Sequence, residues 1–319
     1  MYDAITFGSS TVDVFLGTEA MEKKGKLEYP AGHKILVRDV DFQTGGCGMN
    51  VAIGLRRLGC KAGFLGKVGD DANGKMILEG LKEEGVSFMG PNAKGKSGYS
   101  VILDSVKHNR TILHYKGANN DLKWSEVRKA ALKARWLYLA NQVGDSFETE
   151  KKLAAFARRN GVKVAFNPGL NQCEKGHGYL RKILDATDML ILNREEASAL
   201  SGQQQDESIM KSLAGMGPGI ICMTNGAKAT KCYDGRQIYR LSPHKTEIRE
   251  RTGAGDAFSS GMLAGMIKGR GIEDSLQLAL ANSESVIRYF GSRNKLLTWN
   301  EAVHTAKRRP GRITKKVFL

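Results

Sequence analysis

The sequence has no apolar run longer than a strand. Met189-Leu190-Ile191-Leu192 and Ile220-Ile221-Cys222-Met223 are typical of its longest stretches, well short of the ~20 residues that a membrane-crossing helix needs. The opening Met1-Tyr2-Asp3 is neither basic nor followed by an apolar core, so no secretory signal is expected and a cytoplasmic location is. Paired cysteines are missing as well. The five cysteines (47, 60, 173, 222 and 232) are odd in number and form no CxxC pair, which argues against a disulfide framework and a zinc site and leaves reduced thiols. The six histidines (33, 108, 114, 177, 244 and 304) show no metal-ligand spacing. Internal repeats and low-complexity linkers are also absent, and no glycine cluster is followed by the lysine of a P-loop.

Acidic residues are in deficit: 33 Asp and Glu face 49 Lys and Arg, a net charge of +16. Most of the basic residues are dispersed; the one dense cluster is Lys307, Arg308, Arg309, Arg312, Lys315 and Lys316. Aromatic residues do not interleave with that cluster as a single-strand platform requires. Nucleic acid is therefore the minority reading, behind a solvated surface whose field favours small phosphorylated ligands. With 319 residues, the chain fits one large α/β domain with a small appendage.

Residues 4 to 8 read as a buried strand ending in a turn, after which Asp13 is placed to accept hydrogen bonds in a ligand crevice or, equally, to stabilise the turn. Residues 34 to 42 look like a strand. Gln43-Thr44-Gly45-Gly46-Cys47-Gly48-Met49-Asn50 then opens a helix through Leu58, with Asn50 in its first turn. A strand at 62 to 68 and a helix at 71 to 84 follow. Residues 98 to 103 and 110 to 115 form a hairpin turning at Ser105 to Asn109. With residues 14 to 42, this hairpin makes a small sheet, a lid over the crevice formed from about 14–42 and 96–118. From residue 125 helix and strand alternate: helix 125 to 134, strand 136 to 140, helix 147 to 160, strand 162 to 166, helix 178 to 186 and strand 189 to 192. That rhythm specifies a mostly parallel sheet with helices on both faces. Strands at 219 to 223, 229 to 233 and 237 to 241 and a helix at 273 to 290 complete it.

Polar groups after strand ends face the crevice. Asn193 either caps the next helix or serves a ligand, with Glu196 one turn on able to orient a hydrated divalent cation. Thr224-Asn225-Gly226 suits a nucleotide's phosphates or a plain hairpin. The densest station is Arg251-Thr252-Gly253-Ala254-Gly255-Asp256-Ala257-Phe258, where glycines leave backbone N–H groups bare at a helix start. A carboxylate at an anion pocket is out of place for mere phosphate binding. It makes sense if it takes a proton from a hydroxyl attacking phosphorus.

These stations, in this order, resemble the ribokinase (PfkB) family of carbohydrate kinases, and the resemblance covers essentially the whole chain. It implies a ribokinase-like α/β fold with a small β-sheet lid, and ATP and Mg²⁺ as cofactors. It implies Asp256 as the catalytic base, with Gly253, Ala254 and Gly255 as the anion hole. Asp13, Gly45, Gly46 and Asn50 correspond to sugar-binding positions, and Asn193 with Glu196 to an element that organises Mg²⁺ and phosphate. Thr224, Gly226 and Thr252 correspond to nucleotide positions, and Asn282 to a late adenine-pocket residue. The family usually has Asp-Thr-Thr before the Gly-Ala-Gly-Asp core; here it is Glu250-Arg251-Thr252, which leaves a monovalent-cation site open and raises the idea that Arg251 turns to solvent or replaces that charge. The expected acceptor is a sugar or sugar-like alcohol. A nucleoside, or binding without catalysis, are the alternatives. Tyr99, His114, Lys116 and Asn119 in the lid are placed to select the substrate, and the lid's exposed face to form a homodimer.

Overall fold

The computed structural model describes the chain apart from residues 21, 25, 106–109, 290, 318 and 319. The predicted strand at 4 to 8 is Tyr2–Phe7, at the heart of a ten-stranded sheet. Its alternate residues face opposite apolar layers. Ile5 and Phe7 join Leu137, Leu139 and Phe166 on one side, while Ala4 joins Trp136, Tyr138 and Ala165 on the other. A strand buried on both faces must be apolar throughout, which is why these segments read as runs rather than alternations.

Across the sheet the order is Ser87–Phe88, Ala62–Leu65, Tyr2–Phe7, Ala134–Ala140, Lys163–Asn167, Met189–Asn193 and Ile220–Thr224, all parallel. Thr230–Tyr233, Gln237–Ser242 and Arg312–Val317 then add antiparallel. The four-stranded lid runs Arg110–Tyr115, Gly98–Ser105, Thr11–Ala20, Asp39–Gly45. Of its expected hairpin turn, residues 106–109 lie outside the described residues, as does residue 290 at the expected end of the late helix. That helix is described over Ile272–Val286.

Three expectations need correction. Residues 125 to 134 are not a helix but two 3₁₀ turns, Trp124–Glu126 and Lys129–Ala131. Leu122, Val127 and Leu132 are all buried, and a five-residue spacing does not keep three side chains on one face of a 3.6-residue helix. The strand expected from residue 34 begins only at Asp39, where it pairs with Gly17. Ile35, Leu36 and Val37 before it are exposed. Finally, the basic C-terminal cluster is not a bare tail. Lys307 and Arg308 end the helix Trp299–Arg308, and Arg312, Lys315 and Lys316 lie on the edge strand, where Lys315 pairs with Glu273 and Lys316 with Glu207.

Candidate active site

The lid's register places its polar residues in one row. Gln43 pairs with Asp13, Asp13 with Ser100, and Ser100 with His114, so the four side chains share one face. The neighbouring row, Phe42, Val14, Val101 and Leu113, belongs to the other face. Within the polar row the Ser100 hydroxyl and His114 Nδ1 lie 2.9 Å apart. Burial pushes the Asp13 carboxyl up, against hydrogen bonds from Ser100 and Thr11 and the Arg293 charge that pull it down. Partial burial, then the Lys116 charge, holds the His114 imidazole down at about 4.

Gly45 leaves room for the Asp13 carboxylate: a Cβ there would displace Asp13 Oδ2. From Gly46 the chain turns directly into the helix Cys47–Arg57, which carries Asn50 inward. Asn50 Nδ2 donates to Asp256 Oδ2 at 2.8 Å, joining residues 206 positions apart. That hydrogen bond brings the sugar-side loop and the Gly-Ala-Gly-Asp stretch together. Asp256 lies in the first turn of the helix Ala254–Ile267. Burial raises its carboxyl to about 7, with the Asn50 hydrogen bond opposing and the Asp13 charge adding to the rise. A carboxylate at that value is matched to taking a proton near neutral pH.

Gly253 precedes this helix with φ of 80°, and a Cβ there would run into the Ser292 carbonyl. Among residue types, only glycine takes this left-handed, crowded position cheaply. Three residues further back, buried Glu250 turns its carboxylate onto its own loop. Its Oε1 accepts from the Arg251 N–H at 2.7 Å and from the Thr252 N–H and hydroxyl at 2.8 Å each. The same oxygen takes the guanidinium of Arg110 on the lid. Arg251 itself is exposed, so of the two expectations for it the turn to solvent holds. Sequence reasoning missed Arg110, because a lone arginine at the foot of a strand carries no signal until its partner is placed.

Asn193 and Thr224 end adjacent parallel strands in direct register. Asn193 does cap the next helix: its Oδ1 accepts from the Glu196 N–H at 2.9 Å while Glu196 Oε2 accepts from the Asn193 N–H at 2.8 Å. Burial raises the Glu196 carboxyl to about 7. Burial lifts the Tyr138 phenol well above its ordinary value, and the charges of Asp256 and Glu196 add to the rise. Gly226 lies in the turn after Thr224, with φ of 53°. Asn282, by contrast, is not brought to the cleft. It is fully buried, its Nδ2 donating to the Ala257 carbonyl and Ser260 Oγ and its Oδ1 accepting from the Leu297 N–H. Among the described residues no group of three or more His, Cys, Asp or Glu side chains could hold a metal by itself. Glu196, with Oε2 engaged by the Asn193 N–H, fits only a mainly hydrated ion that ligand phosphates also bind.

At the start of the helix Ala254–Ile267 the Ala254 N–H donates to the Arg251 carbonyl at 3.3 Å, so, against the expectation from the sequence, it is not bare. A helix N-terminus beside a buried carboxyl raised to about 7, with a polar lid at the ends of parallel strands, fits a class of α/β phosphotransferase. The family profile described as pfkB family carbohydrate kinase matches residues 3–299. An uncharacterized sugar kinase of Archaeoglobus fulgidus is 31% identical over 76% of this chain and 98% of its own. A 5-dehydro-2-deoxygluconokinase of Halalkalibacterium halodurans is 29% identical over 79% of this chain and 82% of its own. The structure of Arabidopsis thaliana ribokinase complexed with ribose and ATP superposes with a TM-score of 0.81 at 22% identity, over 96% of this chain and 99% of that one. The chain belongs to the pfkB family of carbohydrate kinases and has the ribokinase fold. It is an ATP-dependent sugar kinase. Among the described residues no helix is long and apolar enough to cross a membrane.

Proposed function

We propose that Asp256 deprotonates a sugar hydroxyl held by Asp13, Asn50 and the backbone of Gly45 and Gly46, and that this oxygen attacks the γ-phosphorus of ATP. The observation that carries the reading is the hydrogen bond from Asn50 to Asp256, which joins acceptor side and phosphate side at one carboxylate. The N–H groups of Gly253, Ala254 and Gly255 stabilise charge on the transferring phosphoryl group, and Thr252 is held in place by Glu250. Asn193, Thr224 and Gly226 serve the nucleotide. Mg²⁺ bound to the phosphates neutralises their charge, and Glu196 would orient one of its waters. Asn282 supports the helix Ala254–Ile267 from behind.

The test is ADP release over a panel of free sugars, sugar acids, sugar phosphates and nucleosides. Acceptor-dependent ADP with a sugar supports the reading. Release with nucleosides alone would replace it by a nucleoside kinase, and ATP binding without transfer to any acceptor by a binding protein.

The lid's outer face carries exposed Val40, Phe42, Leu113 and Tyr115, apolar enough to require a cover. A second copy of the chain, lid against lid, supplies it. Light scattering tests this, since a monomer at micromolar concentration contradicts the pairing and Phe42→Lys should dissociate a dimer.

A further inference from the structure

A cavity of about 530 Å³ opens at the end of the lid's polar row. His114, the last member of that row, forms part of its wall, so the cavity adjoins the edge of the lid row that begins at Gln43 and Asp13. Its other side chains are unusually cationic: Lys67, Lys94, Lys96 and Lys116, set against the single carboxylate of Asp121. Lys67 is engaged by Glu126 at 2.8 Å. Among the described residues Lys94, Lys96 and Lys116 make no ion pair. Lys116 is only half exposed, and its charge acts on both His114 and the Cys47 thiol, which Asp256 also influences. The cavity also presents Asn120, whose buried Oδ1 has no hydrogen-bond partner among the described residues.

Clustered lysines with no counter-ion repel one another and favour an anion between them. Asn119 fixes where that anion lies relative to the reacting hydroxyl. Its Oδ1 accepts from the Ser10 N–H at 2.9 Å and its Nδ2 donates to the carbonyls of Ser10 at 2.8 Å and Lys116 at 2.9 Å. The segment bearing Lys116 is thus pinned to the turn that leads into Asp13. We propose that the acceptor is an anionic sugar, whose carboxylate or phosphate is bound by Lys116 and Lys96 while Asn120 accepts a hydrogen bond from one of its hydroxyls. This rests on the sugar-kinase reading of the same site and adds the substrate class to it.

The experiment is isothermal titration of the full-length protein with ribose and fructose, with ribose 5-phosphate and fructose 6-phosphate, and with gluconate and 2-ketogluconate. ADP release is followed in parallel. The expected result is that one anionic class binds at least about tenfold tighter than the neutral sugars, as a charge-assisted contact provides. Lys116→Met and, separately, Lys96→Met then erase most of that preference, and the two anionic arms tell phosphate from carboxylate. Equal binding of neutral and anionic sugars, no binding of either anionic class, or a preference untouched by both variants would overturn the proposal. Transfer to a neutral sugar without anionic preference leaves the kinase reading standing and removes this one. Lysine-dependent anion binding without transfer to any acceptor does the reverse.

Discussion

Glu150 gives the sharpest prediction about stability. It lies in the helix Gly144–Arg159 and is fully buried, behind the loop that follows the strand Lys163–Asn167. Gln172 Nε2 donates to its Oε2 at 2.9 Å, while Oε1 has no partner among the described residues. Burial raises the carboxyl from 4.5 to about 8. The folded chain therefore holds this proton more tightly than the unfolded chain. The stabilisation is complete below pH 4.5, declines as pH climbs towards 8 and changes no further above it. At 1.36 kcal/mol per pH unit, the whole window amounts to roughly 5 kcal/mol, an upper bound because a buried charge relaxes its surroundings. Glu150→Gln keeps an acceptor for Gln172 and removes the titration. Urea unfolding of parent and variant between pH 4 and pH 9 should give similar stabilities at the acid end and a variant more stable by several kcal/mol at the alkaline end. Asp256 and Glu196 titrate in the same direction in both proteins, so the difference between the two curves isolates Glu150. Parallel curves would refute the reasoning.

Three further outcomes concern the site. Because burial raises Asp256 to about 7, kcat/KM should increase with pH through an apparent value near 7 and level off above it; a flat profile from pH 5.5 to 8.5 contradicts a base of that kind. Arg110→Met removes the lid's hold on Glu250 and should raise the acceptor KM severalfold. If Arg110 supplies the charge at this segment, the parent should show little K⁺ activation and the variant more, so strong activation of the parent sinks that idea. Gly253→Ala forces a side chain into the left-handed region against the Ser292 carbonyl and should lower kcat by about 10²-fold, the scale of losing an oxyanion donor. Unchanged turnover would show that the loop geometry is not needed.

Much of the fold was legible because helix and strand periodicities alternate through buried segments. The strands Met189–Asn193 and Ile220–Thr224 are apolar runs closed by a polar residue, so both element and crevice end could be read directly. Reading failed where burial is one-sided or the spacing unusual. The strand Arg312–Val317 is an exposed, basic sheet edge with no pattern to betray it, and between residues 125 and 134 good helix formers such as Lys129, Ala130 and Ala131 suggest a helix that the five-residue spacing of Leu122, Val127 and Leu132 does not support. In the site, Gly45, Gly253 and Asp256 were legible through the chemistry that glycine and a first-turn acid permit. Asn282 was misplaced because a buried amide satisfied by Ala257, Ser260 and Leu297 looks, as a letter in a helix, like one facing a ligand. The links from Arg110 to Glu250 and from Asn50 to Asp256 depend on long-range packing.

The most direct measurement is steady-state ADP release by Asp256→Asn beside ATP binding by the same variant. Asparagine keeps the size and the contact with Asn50 but cannot take the proton. Turnover should fall by at least about 10²-fold while ATP binds within a fewfold of the parent. Turnover close to that of the parent would contradict a proton acceptor at position 256 and, with it, the mechanism proposed for the site.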